Sequence, residues 1–171
     1  MPYQTNGKRI CLMEELYYND FSDKQIKFIV NYRMTSIIPD KLYLGSYADA
    51  MDLDSIRSKG ITHIIQLVRD VSHIATYERI VYYHIPISDN NLVDILPIFK
   101  EYVPIIDNII LNGGRVLIHC AMGISRSASL CIAYMAHRTR KPIDEIIKSI
   151  NRPINPNEGF RKALEIYVNE L

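Results

Sequence analysis

Val116-Leu117-Ile118-His119-Cys120-Ala121-Met122-Gly123-Ile124-Ser125-Arg126-Ser127 is the stretch that decides how the chain folds. The aliphatic run after Arg115 reads as a buried strand over 115–119. A helical pattern follows over 127–140, with Leu130, Cys131, Tyr134 and Met135 on its apolar side. Between them lies a short loop carrying a cysteine, a glycine and an arginine. A loop of this kind can curl its backbone N–H groups around one centre at a helix N-terminus, which makes an anion site. Gly123 allows the backbone angles that a tight loop needs. Arg126 supplies a planar fork that holds two phosphate oxygens at once. Cys120 opens the loop, so its sulfur faces the same positive centre, and a field of that sign favours thiolate over thiol. Nucleophile and phosphorus are brought together by one device. The N–H groups and Arg126 then stabilise the equatorial oxygens as charge shifts.

Working outward, 42–44 reads as a short strand ending at Gly45, and 62–68 and 81–87 as two more strands. Residues 53–59 form a helix closed by Gly60, and 94–111 a longer one stopped at Asn112-Gly113-Gly114. Two further helices fall near 143–151 and 157–169. Strands separated by helices point to an α/β fold, a central mixed, mostly parallel sheet flanked by helices. Pro97 is tolerated in the first turn of its helix. Pro104 is mid-helix and predicts a kink, because apolar periodicity continues through Ile105, Ile106 and Ile109.

Residues 1–35 read as an N-terminal extension to a domain over 36–171. Ser22-Asp23-Lys24-Gln25 has capping-box spacing, and Ile26, Ile29 and Val30 follow on one side of a helix at about 23–33. Such an arm packs on its own domain or crosses to a second copy, giving a homodimer.

The bulk numbers narrow the setting. A length of 171 residues suits one domain with a real core. A net charge of +1 provides no global field, so neither nucleic acid nor a membrane surface is an expected partner. The N-terminus has no apolar signal core and no run is long enough to span a bilayer, which fits the cytoplasm, with the nucleus as a second compartment. Three cysteines, Cys11, Cys120 and Cys131, are an odd count without metal-type spacing. Reduced thiols, no metal and no cofactor are expected. Cys131 reads as core packing and Cys11 as inert.

Thiolate attack on a phosphate ester needs an acid for the leaving oxygen. Asp89, in the polar loop Ser88-Asp89-Asn90-Asn91, is the first choice, and the same group then serves as base toward water. Asp94 is the rival, although its place before an apolar helix suits an N-cap. Ser127 can direct its hydroxyl to the Cys120 sulfur. Asn157 sits where it would cap the last helix.

His119-Cys120-x-x-Gly123-x-x-Arg126-Ser127 resembles the phosphate loop of the protein tyrosine phosphatase superfamily, with the dual-specificity branch nearest. Leu42-Tyr43-Leu44-Gly45 resembles that family's opening strand. Ile85-Pro86-Ile87-Ser88-Asp89, followed by Asp94-Ile95, is similar to its acid loop. Gly113-Gly114-Arg115-Val116 leads into the catalytic strand in the same way. Arg152-Pro153 and Pro156-Asn157-x-Gly159-Phe160 resemble its C-terminal pattern. The resemblance covers roughly 36–171. It implies a protein tyrosine phosphatase-like fold. The implied activity is a protein phosphatase that hydrolyses phosphotyrosine and phosphoserine/phosphothreonine through a cysteinyl-phosphate. Cys120, Arg126, Asp89 and Ser127 take the catalytic roles. Ala121, Met122, Gly123, Ile124, Ser125 and Arg126 line the phosphate. His119 and Asn157 stand behind them, and Arg152 is the candidate for a second anionic group. Two residues depart from the pattern. Met122 replaces a usual small alanine, which narrows the pocket edge or repacks the loop underside, and Pro104 falls where the family helix has no proline.

Other readings rank behind this one. Lipid-directed relatives tend to carry lysines inside the loop, and this loop has none. Relatives acting on RNA 5′-phosphates tend to have a strongly basic face. Phospho-residue binding modules without turnover typically lose the nucleophile, whereas Cys120, Arg126 and Asp89 are all present. A small chain leaves little room for loops that deepen a pocket, so a shallow slot is expected.

Overall fold

The structure, a computed structural model, describes residues 22, 24, 25, 27, 31–69 and 76–171. Among the described residues there are five strands: β1 (Thr35–Ile38), β2 (Leu42–Gly45), β3 (His63–Leu67), β4 (Val81–Ile85) and β5 (Val116–His119). Helices α1 (Tyr47–Ala50), α2 (Leu53–Ser58), α3 (Leu96–Leu111), α4 (Arg126–Thr139), α5 (Ile143–Ser149) and α6 (Glu158–Asn169) accompany them. The strands form one sheet in the order β1-β2-β5-β3-β4. Only β1 runs antiparallel to its neighbour; the β2–β5, β5–β3 and β3–β4 pairs are parallel. The mixed, mostly parallel sheet expected from the alternating pattern is what forms.

Strand alternation decides which face each residue serves. Leu42, Leu44, Ile65, Leu67, Val116 and Ile118 join the large core under the helices. Tyr43, Ile64 and Leu117, one step out of phase, join a smaller cluster with Met34, Ile56 and Ile61. β5 is therefore covered on both faces, and all four of its residues are buried. A parallel strand buried on both sides reads as an unbroken apolar run, and Val116-Leu117-Ile118 is one. β5 sits at the centre of the sheet, so the loop at its C-terminal end is fixed by the most constrained part of the molecule.

Pro104 lies inside α3, which runs as one helix from Leu96 to Leu111. The proline is exposed, while Phe99, Val103, Ile106, Ile109 and Ile110 form the buried face. Asp94 accepts a hydrogen bond from the Leu96 N–H at 3.0 Å, so it satisfies the start of α3 from one residue before the cap position.

The expected helix at about 23–33 is described in part. Lys24, Gln25, Lys27 and Asn31 are helical. The capping box is formed: Ser22 N–H and Oγ donate to Gln25 Oε1 at 2.8 and 2.9 Å. Ile26, Ile29 and Val30, on which the reading of a buried apolar side depended, lie outside the described residues, as does Cys11.

Candidate active site

The loop from Cys120 to Ser125 joins β5 to α4. Four of its carbonyls are hydrogen-bonded to residues outside the loop. The Ala121 carbonyl accepts from Tyr47 N–H at 3.0 Å, and the Ile124 carbonyl from Asn155 N–H at 2.9 Å. The Met122 carbonyl accepts from Arg152 Nη2 at 2.7 Å. The Ser125 carbonyl takes the Ser129 N–H and hydroxyl, both at 2.8 Å. In a trans peptide the C=O and N–H point in opposite directions. Carbonyls held outward therefore leave N–H groups facing inward. Among the described residues, the N–H groups of Met122, Ile124, Ser125 and Arg126 donate to no backbone carbonyl. α4 also begins without a side-chain cap, because Ser125 turns its hydroxyl elsewhere. This is the nest expected from the sequence, at the N-terminus of a 14-residue helix.

Gly123 is required on two counts. Its φ is +71°, and a Cβ there would lie 2.6 Å from the Gly45 carbonyl oxygen and 2.7 Å from Arg152 Nη2.

Cys120 is 1% exposed and lies at the base of the loop. Its Sγ accepts from Gly123 N–H at 3.2 Å and from Ser127 Oγ at 3.1 Å. Both donors favour negative charge on sulfur. Cys131, one element further on, is fully buried, and burial pushes its thiol far above the ordinary range, with the neighbouring Cys120 adding to the shift. That matches its reading as core.

His119 is buried, and its Nδ1 lies 3.3 Å from the Cys120 carbonyl oxygen. A carbonyl only accepts, so Nδ1 carries the proton. Nε2 has no hydrogen-bond partner among the described residues. Burial lowers the imidazole from its ordinary 6.5 to about 4, so the ring is neutral. The unfolded chain protonates first. The stability contributed by the neutral ring is complete above about pH 6.5 and is lost as pH falls through about 4. Chemical denaturation should show wild type losing about 3 kcal/mol over that window from this group, the equivalent of the shift at 1.36 kcal/mol per unit. His119→Asn should show a correspondingly shallower loss, and equal slopes in the two proteins would contradict this role.

Arg126 opens α4 and reaches back to the acid loop. Its Nη1 donates to the Ile87 carbonyl at 3.3 Å. Its Nε is buried without a hydrogen-bond partner among the described residues, and Asp89 Oδ2 is 3.7 Å away, too far to count as one. A buried donor left in this state is suited to a phosphate oxygen.

Asp89 is brought to the loop and Asp94 is not. Asp89 Oδ1 accepts from Ser125 Oγ and from Asn157 Nδ2, both at 2.8 Å. Asn157 does this while its own Oδ1 caps α6 through the Phe160 N–H at 2.9 Å. Gly159 makes the approach possible, since a Cβ there would lie 2.2 Å from the Asn91 carbonyl oxygen. The acid loop is thus clamped between the first turns of α4 and α6. Asp94 is exposed and engaged at the start of α3.

A cleft of about 370 Å³ opens over this assembly, lined by Asp89, Cys120, Arg126, Asn157 and also by Gln25 and Asn155. A larger cleft, of about 830 Å³, is lined by Arg57, Tyr77 and Arg79 at the opposite end of the sheet, with no cysteine among the described residues that line it. Gln25 and Asn155 carried no site signal in the sequence. Gln25 Nε2 lies 3.5 Å from Met122 Sδ, so residues before the sheet form part of the cleft rim. The capping-box spacing located Gln25 on a helix, but nothing local placed that helix beside Met122.

Arg152 is corrected by the geometry. Read as a candidate for a second anionic group, it is 4% exposed, and besides Met122 it donates from Nη1 to the Arg33 carbonyl at 3.3 Å. Its Nη1 is also 3.9 Å from Asp49 Oδ2. The guanidinium is engaged beneath the loop and does not face solvent.

The profile of the dual specificity phosphatase catalytic domain matches residues 42–170. The chain belongs to the dual specificity phosphatase family. Dual specificity protein phosphatase 15 of Mus musculus is 42% identical over 135 residues, 77% of this chain and 56% of that protein. Human protein phosphatase Slingshot homolog 3 is 34% identical over 154 residues, 88% of this chain and 23% of that protein. The chain spans about half the length of the first of these relatives and about a quarter of the second. The crystal structure of DUSP15 superposes with a TM-score of 0.75 at 38% identity, covering 80% of this chain and 87% of that one. That of human tyrosine phosphatase-like serine/threonine/tyrosine-interacting protein gives 0.74 at 33% identity, with 81% and 97% covered. The sheet and helices of the dual specificity phosphatase fold are those described above.

Proposed function

We propose that this family member is a protein phosphatase that removes phosphate from phosphotyrosine and phosphoserine/phosphothreonine side chains of proteins. The observation that carries the reading is a buried sulfur, held by Gly123 N–H and Ser127 Oγ, at the base of a loop with four carbonyls bonded to residues outside it. The phosphate sits in the nest with oxygens on the loop N–H groups and on Arg126. The Cys120 thiolate attacks phosphorus in line, forming the S–P bond as the P–O bond to the side chain breaks. Asp89 gives its proton to the departing oxygen. Oδ1 already accepts two hydrogen bonds, so Oδ2 is the oxygen that carries it. Water then attacks the cysteinyl-phosphate, the Asp89 carboxylate takes its proton, and the S–P bond breaks to release inorganic phosphate. The Ser127 hydroxyl donates to the sulfur as it departs with the electron pair.

No step requires a metal, because the loop and Arg126 supply the positive field. The full chain in EDTA and reducing buffer should release phosphate from matched phosphotyrosine and phosphothreonine peptides. It should stop when Cys120 is alkylated. Binding of both peptides without release, or activity only after manganese is added, would overturn the reading.

A further inference from the structure

Beneath the phosphate loop lies a buried charged pair that the reaction above does not employ. Arg152 has a side chain 0% exposed and Asp49 one that is 2% exposed, with Nη1 and Oδ2 3.9 Å apart. Asp49 is held firmly. Its Oδ1 accepts from Met34 N–H at 2.8 Å, and its Oδ2 from Ser46 N–H and Oγ at 2.7 and 2.9 Å. Arg152 Nη2 donates to the Met122 carbonyl at 2.7 Å. The N–H at the other end of that same peptide unit belongs to Gly123, and it donates to Cys120 Sγ at 3.2 Å. There are no cis peptides in the described chain, so the two ends of the 122–123 peptide point in opposite directions. A cation on the carbonyl fixes the direction of the N–H. It also polarises the peptide and strengthens that N–H as a donor. The absence of a side chain at Gly123 leaves just enough room for the guanidinium.

We infer that Arg152, anchored by Asp49, is a positioning residue that acts on the Cys120 thiolate through the Met122–Gly123 peptide. The inference deepens the phosphatase reading and rests on Cys120 as nucleophile. It also accounts for a basic residue buried where a surface anion site was expected.

The test compares wild type with Arg152→Lys and Arg152→Met in the full chain. Arg152→Lys keeps the charge beside Asp49 but loses the fork that spans Met122 and Arg33, so it keeps the question open if Arg152→Met fails to fold. Three quantities are read: iodoacetamide alkylation of Cys120 followed by peptide mass, vanadate affinity by calorimetry, and kcat on p-nitrophenyl phosphate. Arg152→Lys should slow alkylation and weaken vanadate by about tenfold each, and Arg152→Met by more. The drop in kcat should approach about 100-fold, with KM changing less, as misplacement of the reacting groups by an ångström implies. A lowered melting temperature with alkylation and vanadate affinity unchanged would reduce Arg152 to a structural role and overturn the inference. So would a loss confined to doubly phosphorylated peptides, which belongs to a second anion site. Alkylation and vanadate binding do not depend on turnover. A wild type that passes both yet releases no phosphate from peptides sinks the functional reading and leaves the positioning role standing.

Discussion

Cys120→Ser should abolish turnover of phosphotyrosine peptides, by about 10⁴-fold or more, while vanadate affinity stays within about tenfold of wild type. The two effects separate because different groups produce them. Binding comes from loop N–H groups and Arg126, and Tyr47, Asn155 and Arg152 hold the loop through the Ala121, Ile124 and Met122 carbonyls, contacts that a Cys120→Ser change leaves in place. Turnover requires an anionic nucleophile at neutral pH. Sulfur is the stronger nucleophile and is held at the base of the loop by two donors, whereas a serine hydroxyl is a far weaker one. A smaller oxygen also sits further from Gly123 N–H and Ser127 Oγ. Equal loss of vanadate binding and turnover would mean that the loop depends on Cys120 for its shape, and the division of labour would be wrong.

The second large effect belongs to the acid. Asp89→Asn should slow phosphopeptides by about 100-fold or more and p-nitrophenyl phosphate by about tenfold or less. Peptide oxygens leave poorly without a proton, whereas nitrophenolate leaves readily. The asparagine amide can still meet Ser125 and Asn157 through its oxygen, so the acid loop should stay docked and vanadate affinity should hold. Asp94→Asn, by contrast, acts at the start of α3 and should lower stability without any leaving-group dependence. If Asp94→Asn and not Asp89→Asn showed that dependence, the roles of the two carboxylates would have to be exchanged.

Much of the fold and the chemical loop could be read from the residues, for identifiable reasons. β5 and α4 carry strong periodic signals, and Gly123, Arg126 and Ser127 lie within seven residues of Cys120, so their meeting is local. Asn157 was legible as a cap because α6 begins immediately after it. β1 was not, being a four-residue edge strand with a register shift between Ser36 and Ile38 that destroys alternation. α1 is four residues long, shorter than any period that sequence reading can detect, although Ser46-x-x-Asp49 carries the spacing of its closed start. Arg152 was misread for a different reason. Sequence reveals a cation but not which side of a loop it lies on, and only the fold brings Asp49 and the Met122 carbonyl, 30 or more residues away, to its guanidinium. Gln25 is the same case at longer range, 97 residues from Met122.

The central claim is that phosphate passes through the sulfur of Cys120. Ser127→Ala removes the hydroxyl 3.1 Å from that sulfur, so breakdown of the cysteinyl-phosphate should slow more than its formation. Rapid quench of Ser127→Ala during turnover of a phosphotyrosine peptide, followed by peptide mapping, is the most direct measurement. The account predicts one phosphoryl group on the peptide that contains Cys120, decaying as inorganic phosphate appears. Phosphate released with no phosphorylated enzyme at any time, or a phosphoryl group on a residue other than Cys120, would contradict it.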